Sequence, residues 1–309
     1  MVFFGDPRNP FSNRHFKVLT ECSCVLGAVV AAPKDNWTST NRAEPEGKDA
    51  FTSRAGEMGV PVLSPENPNK QEILKKLSTM IPDIMIAVAY TKKLGPELLA
   101  LPRFGVFNFH ASLLPKYRGK HPVFRTLQAG DKTAGLTVHR MDGGIDTGPV
   151  LYQVKVRTRA SDSVASLYSR ITDKSVPLVS RLITECGSGK FRLRAQDESQ
   201  GSYFSSVDES DFHIDFSKPR ETLCRQICAA PGRSFFKISG EKIFVDLAVC
   251  GPGTGRLEAP GTILKIGSKN VLVSAGNGSI LLQGAADRFR YLGLSAGMKC
   301  GKKGAGRKR

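Results

Sequence analysis

The chain has no apolar run long enough to span a bilayer, and a hydrophobic fraction of 40% suits a globular protein with a real core. Its seven cysteines, Cys22, Cys24, Cys186, Cys224, Cys228, Cys250 and Cys300, form neither a disulfide framework nor a pair of Cys-x-x-Cys knuckles. That excludes a small disulfide scaffold and points to free thiols in a reducing compartment. Cys224 and Cys228, four apart in an expected helix, could meet a metal, but the simpler reading is two buried thiols. His15, His121, His139 and His213 lack metal-ligand spacing and read as structural or surface residues, so no metal is expected. No Gly-x-Gly-x-x-Gly is present: Gly5 to Ser12 reads as a plain strand-to-helix turn. Gly251 to Gly255 lacks the Lys-Ser/Thr ending of a phosphate loop and reads as a loop of a β-domain. Met1 leads straight into Val2, Phe3 and Phe4 without the charged, apolar and small-residue regions of a leader, so a cytoplasmic protein is expected.

Acidic residues are also scarce. Against 45 Lys and Arg stand 28 Asp and Glu, a net charge of +17 over 309 residues. Six of the positive charges (Lys299, Lys302, Lys303, Arg307, Lys308 and Arg309) lie in the last eleven residues, which leaves +11 for the body. Such a field attracts polyanions: RNA, a nucleotide-linked substrate or a polyglutamylated cofactor.

Short apolar runs alternate with amphipathic ones through the first two hundred residues. Strands are expected at 2–4, Cys24–Ala31, Val60–Leu63, Asp83–Val88 and Gly105–His110, with helices near 12–20, 48–57, 69–80 and 121–129. That alternation predicts an α/β domain with an open, mostly parallel, doubly wound sheet covered on both faces. Ala134–Met141 and Val150–Val156 read as closing strands and Ser161–Gly187 as one long helix. After a polar stretch the rhythm changes to short strands, Ser234–Ile238, Lys242–Val249, Gly261–Ile266, Asn270–Ser274 and Ser279–Gln283, behind a helix at Pro219–Ala229. This pattern suggests a small β-barrel. The expected division is 1–190, a linker at 191–206, a β-barrel domain at 207–298 and a basic tail at 299–309.

The most informative stretch is Asn108 to Gly119, followed by Met141 to Gly148. Asn108 and His110 are two apart in a strand, so both side chains leave one face. Asp146, among glycines, belongs to a loop that can fold back onto them. Asn108-x-His110 with Ser112-Leu-Leu-Pro115, then Gly119 and Asp146-Thr-Gly148, resembles the folate-dependent formyltransferases, whose catalytic amide, imidazole and carboxylate match Asn108, His110 and Asp146. His213 to Pro219, Gly232 to Phe236 and Pro260 to Leu264 are similar to the branch that acts on methionyl-tRNA, whose second domain resembles an oligonucleotide-binding barrel. Apart from the basic tail, the similarity covers nearly the whole chain.

The resemblance implies transfer of a formyl group from 10-formyltetrahydrofolate to a primary amine, with aminoacylated initiator tRNA as the acceptor. The chemistry accounts for the residue types. As an amine attacks the formyl carbon, negative charge gathers on oxygen, and donors from Asn108 and His110 can hold it. Asp146 orients the imidazole and, through water, helps carry a proton from the amine to the departing nitrogen. By resemblance, Ser112, Leu113, Leu114 and Pro115 shape a slot for the folate, with Tyr90 and the loop bearing Asp142 as further walls. Three departures favour other acceptors: the mixed-charge loop Trp37–Asp49, the run Cys228–Gly232 where the branch carries Pro-Trp-Pro, and Tyr90-Thr-Lys-Lys93 where Tyr-Gly is usual. The alternatives are a nucleotide-linked amino sugar, hydrolysis of 10-formyltetrahydrofolate, or a non-catalytic RNA-binding protein.

Overall fold

The computed structural model describes residues 1–33, 50–238, 240–251, 258–284, 287 and 293–300. Trp37 and its loop, most of Gly251–Gly255 and the tail beyond Cys300 lie outside the described residues. Contacts divide the chain into two units. The first comprises Met1–Val123, Thr133–Arg157 and Leu167–Ser205; the second comprises Phe124–Lys132, Thr158–Ser166 and Ser206–Arg309.

In chain order the elements are β1 (Val2–Gly5), α1 (Pro10–Thr20), β2 (Ala28–Ala31), α2 (Phe51–Glu57), β3 (Val62–Leu63), α3 (Gln71–Ser78), β4 (Met85–Val88), α4 (Pro96–Ala100) and β5 (Val106–His110). These are followed by β6 (Arg118–Gly119), α5 (Pro122–Ala129), β7 (Thr133–Arg140), β8 (Val150–Arg157), α6 (Val164–Ser175), α7 (Pro177–Ser188) and β9 (Tyr203–Phe204). The first unit is built on a seven-stranded sheet in the order β3-β2-β1-β4-β5-β7-β8. β1 to β5 run parallel, and β7 and β8 close the sheet antiparallel.

Alternation along β1 explains the cover on both faces. Val2 and Phe4 join a buried cluster with Ile73, Leu74 and Leu77 of α3 and Leu98 of α4. Phe3 points the other way, its ring 5.1 Å from that of Phe16 on α1 and 5.3 Å from that of Phe51 on α2. β1 lies between β2 and β4, so the winding reverses beside it and a crevice is expected beyond the carboxyl ends of β1, β4 and β5.

The expected strands are present, two of them markedly shorter at their amino ends: Cys24 to Gly27 and Val60 to Pro61 precede their strands as irregular chain, and the strand expected over Lys242–Val249 is two, Glu241–Val245 and Leu247–Cys250. The single helix expected over Ser161–Gly187 is instead two, because Pro177 opens the second, where a proline without an amide hydrogen is best tolerated. In the second unit, α8 (Arg220–Ala229) precedes β10 (Ser234–Ile238), β11 (Glu241–Val245), β12 (Leu247–Cys250), β13 (Ile263–Ile266), β14 (Asn270–Ala275) and β15 (Gly278–Gln283). β10 pairs with β11, and β12-β15-β14-β13 form an antiparallel sheet. Only Asp246 separates β11 from β12, so one strand path serves both sheets, and both contribute to one core with Leu223 and Ile227 of α8, which makes a small barrel. All seven cysteines are free thiols.

Candidate functional site

β5 delivers Asn108 and His110 to the carboxyl end of the sheet. β7 runs antiparallel beside it with His139 opposite Asn108 and Thr137 opposite His110, so directly facing residues present their side chains to one side. The loop after β7 returns Asp146 to the same place. Asp146 adopts a left-handed backbone (φ 55°), a conformation that aspartate tolerates better than most residues. Asp142 braces the loop from within, its Oδ1 accepting from Gly144 N–H at 3.0 Å and Thr147 Oγ1 at 2.6 Å. Gly148 has no room for a side chain: a Cβ there would fall on the Arg140 carbonyl oxygen.

The three polar side chains meet. Asp146 Oδ2 accepts the Gly119 N–H at 2.8 Å and lies 3.5 Å from His110 Nδ1. Its Oδ1 accepts from Asn108 Nδ2 at 3.2 Å and lies 3.4 Å from His139 Nε2. Because a carboxylate only accepts, the Asn108 NH2 must be the end that faces it; that nitrogen is also 3.2 Å from His139 Nε2. His110 Nε2 donates to the Tyr117 carbonyl at 2.8 Å. Both nitrogens of His110 therefore face oxygen acceptors. Burial presses the Asp146 carboxyl upward. The His110 and His139 imidazoles and the Gly119 N–H outweigh it, holding the acid well below the usual carboxylate range. The arrangement is an ionised carboxylate that orients an imidazole beside an amide, a set able to move protons and hold developing charge.

The residues expected to line a folate slot fall into two groups. Ser112 is buried, and its hydroxyl donates to the Lys116 carbonyl at 2.7 Å. The Leu114 N–H goes to Thr137 Oγ1 at 3.1 Å and its carbonyl accepts from Gln153 Nε2 at 2.7 Å. The Pro115 carbonyl accepts from Ser202 N–H at 3.2 Å. These polar groups brace the turn and leave a ligand its shape; the Leu113 side chain is spent against Gly135 of β7. Asp142 is exposed at the loop tip and engaged there. Tyr90 differs. It follows β4 with its ring 5.3 Å from Phe4, and its hydroxyl is buried without a hydrogen-bond partner among the described residues. Burial raises its pKa well above the ordinary tyrosine value. An orphaned hydroxyl at a strand end fits a ligand with a polar, planar edge.

Sequence reasoning missed several members. His139, read as structural or surface, is almost fully buried against Asp146, and its Nδ1 has no partner among the described residues. Tyr117 contributes its carbonyl and Gln196 reaches the Asp146 backbone, while Gly119, part of the pattern already quoted, adds its N–H. The only available signal for His139 was its β7 position opposite Asn108, which requires the strand pairing to be known. Among the described residues, no cluster of three His, Cys, Asp or Glu could hold a metal.

Both units match family models: "Formyl transferase" over residues 2–183 and "Formyl transferase, C-terminal domain" over residues 206–287. The chain belongs to the formyl transferase family. A methionyl-tRNA formyltransferase of Pseudomonas paraeruginosa is 33% identical over 284 residues, 91% of this chain and 89% of that protein. One from Thermotoga neapolitana is 34% identical over 230 residues, 73% of this chain and 72% of its own length. Among solved structures, an N-formyltransferase from Helicobacter canadensis in complex with folinic acid and dTDP-3-aminofucose superposes with a TM-score of 0.67 at 18% identity, covering 91% of this chain and 98% of that one. The sugar 3N-formyl transferase WlaRD gives 0.66 at 15% identity, covering 91% and 96%. At such identities these structures share the fold.

Proposed function

We propose that this enzyme transfers the formyl group of 10-formyltetrahydrofolate to the amino group of methionyl-tRNA, the modification that marks the initiator for translation, and that it does so in the cytoplasm. The observation that carries the chemistry is the convergence of Asn108, His110 and Asp146 at the end of β5. The acceptor is argued from relatives that carry that name and match both units of the chain. The net charge of +17 supports a polyanionic partner.

10-Formyltetrahydrofolate supplies the formyl carbon, whose bond to nitrogen breaks as the new amide bond forms. To hold the charge that gathers on the formyl oxygen, Asn108 turns an N–H from His139 and His110 releases its Nε2–H from the Tyr117 carbonyl, each such donor being worth a few kcal/mol. Since its carboxyl is held strongly acidic, Asp146 serves as a fixed negative charge that orients His110, and His110 is the group that moves the proton. Tyr90 and the turn from Ser112 to Pro115 hold the folate. No nucleophile of the protein is used.

The decisive measurement is incubation with 10-formyltetrahydrofolate and either methionyl-tRNA or a pool of amino-sugar nucleotides, with mass spectrometry of the products. Formylated methionyl-tRNA is expected. A formylated sugar would transfer the assignment to the other acceptor, and release of formate alone would make the enzyme a hydrolase.

A further inference from the structure

The polar stretch 191–206, which composition marks as a linker, is fastened to both loops that complete the site. On one side β9 pairs in parallel with β6: Arg118 N–H donates to the Ser202 carbonyl and Lys120 N–H to the Phe204 carbonyl, both at 2.8 Å. Ser202 Oγ accepts the Tyr117 N–H at 2.8 Å, and the Phe204 ring stacks on that of Tyr117 at 6.0 Å. These contacts fix the two backbone groups that serve the site from this loop, the Tyr117 carbonyl against His110 and the Gly119 N–H against Asp146. Gly119 is required there, because its φ of +89° suits glycine and a Cβ would fall on the Phe204 carbonyl oxygen.

On the other side, Gln196 clasps the aspartate loop. Its Nε2 donates to the carbonyl of Asp146 at 2.8 Å and to that of Gly148 at 2.7 Å. Its Oε1 accepts from Arg118 Nε at 3.2 Å and Nη2 at 2.7 Å. Arg118 is in turn gripped by Glu198, Nη1 to Oε2 and Nη2 to Oε1, both at 2.7 Å. Both donors and the acceptor of the Gln196 amide are thus used, and the carbonyls it takes are that of the left-handed Asp146 itself and that of Gly148 two residues on. Thr147 and Pro149 are tied to Asp142 and to the Arg140 N–H, while the Asp146 carbonyl itself is held by Gln196.

We infer that Gln196 is a positioning residue for the formyl-transfer site: through the Asp146 and Gly148 carbonyls it sets the carboxylate against His110, with Arg118 and Glu198 holding Gln196 in turn. The inference rests on the proposed role of Asp146, and its effect belongs in turnover, since the donors and the acceptor of the Gln196 amide are already taken by the loop carbonyls and Arg118.

The test is Gln196→Glu, which keeps an acceptor for Arg118 but sets an oxygen against two carbonyl oxygens, with the near-isosteric Gln196→Met as a second variant. Two quantities are read on the full chain: formyl-transfer kinetics, and hydrogen exchange at Arg118, Gly119 and Lys120. The expected result is a fall in kcat of about tenfold or more with the KM for 10-formyltetrahydrofolate within about twofold. The Gly119 amide, bonded to the Asp146 carboxylate, should lose protection while Arg118 and Lys120, bonded to β9, retain theirs. Wild-type turnover, unchanged Gly119 exchange, or loss of protection at all three amides together would overturn the inference, the last by showing that Gln196 only keeps the strand pairing. If the wild-type enzyme transferred no formyl group, the proposed function would fall, and the exchange pattern would still decide whether Gln196 places Asp146.

Discussion

At the scale of single residues, the proposed mechanism divides the site into groups that do chemistry and groups that hold them. His110→Ala and Asp146→Asn should each lower kcat by on the order of a hundredfold, with circular dichroism unchanged; near-wild-type turnover in either would remove that residue from the mechanism. A second histidine carries a different prediction. His15 is fully buried, its Nδ1 2.7 Å from the Phe11 carbonyl and its Nε2 2.9 Å from Ser175 Oγ. Burial, only partly offset by the Phe11 carbonyl, pushes its pKa down to about 4 from 6.5. As the pH falls below 6.5 the unfolded chain therefore takes up this proton first. Stability is lost between about 6.5 and 4 and levels off once the folded protein protonates too, to a total of roughly 3 kcal/mol. Denaturant titrations from pH 7.5 to 4 should show that slope, and His15→Gln should flatten it; parallel curves would clear His15. Asn108 and His110 were legible because a two-residue spacing in a strand fixes their common face. Asp146 was legible only as a member of a pattern. His139 was not, because its place opposite Asn108 depends on an antiparallel pairing between residues 31 apart in the chain.

At the scale of elements, the apolar runs of β1 and β4 were readable because a central parallel strand is buried on both faces and is apolar throughout. Strand ends were less so: apolar content alone does not say where pairing stops, as the irregular chain from Cys24 to Gly27 shows. The helix break at Pro177 could have been read, since a proline inside a helical pattern opens a new helix more readily than it continues one. The two-residue pairing of β6 with β9 could not, for it is too short to leave a hydropathy signal and lies in a segment whose polarity suggests a tether. That pairing makes its own prediction. Gly119→Ala would drive a methyl group into the Phe204 carbonyl and cost the β6–β9 contacts together with the N–H to Asp146. Turnover should fall by at least about tenfold and proteases should reach the 196–204 segment more readily. Resistance to cleavage equal to wild type would mean that the pairing survives the substitution.

At the scale of the whole molecule, charge and chain path matter most. If methionyl-tRNA is the acceptor, affinity should fall steeply with salt, with a log–log slope of roughly several units, whereas a nucleotide-sugar would give a shallow one. Lys299 and Cys300 are tied to Thr262 and Gly261 of the second unit, so removing only Gly301 to Arg309 should reduce that slope and leave kcat intact; an unchanged slope would make those residues bystanders. The chain path has a consequence for dissection. The second unit borrows Phe124–Lys132 and Thr158–Ser166 from within the stretch that sequence order assigns to the first. Phe124, 1% exposed, meets the Phe212 ring at 5.4 Å, and Arg125 forms an ion pair with Asp211. A fragment ending at Ser205 would keep Asn108, His110 and Asp146, yet carry on α5 a bared phenyl ring and an Arg125 without its Asp211 carboxylate. Such a fragment should self-associate in proportion to its concentration, and Phe124→Ser should restore its monomeric sedimentation.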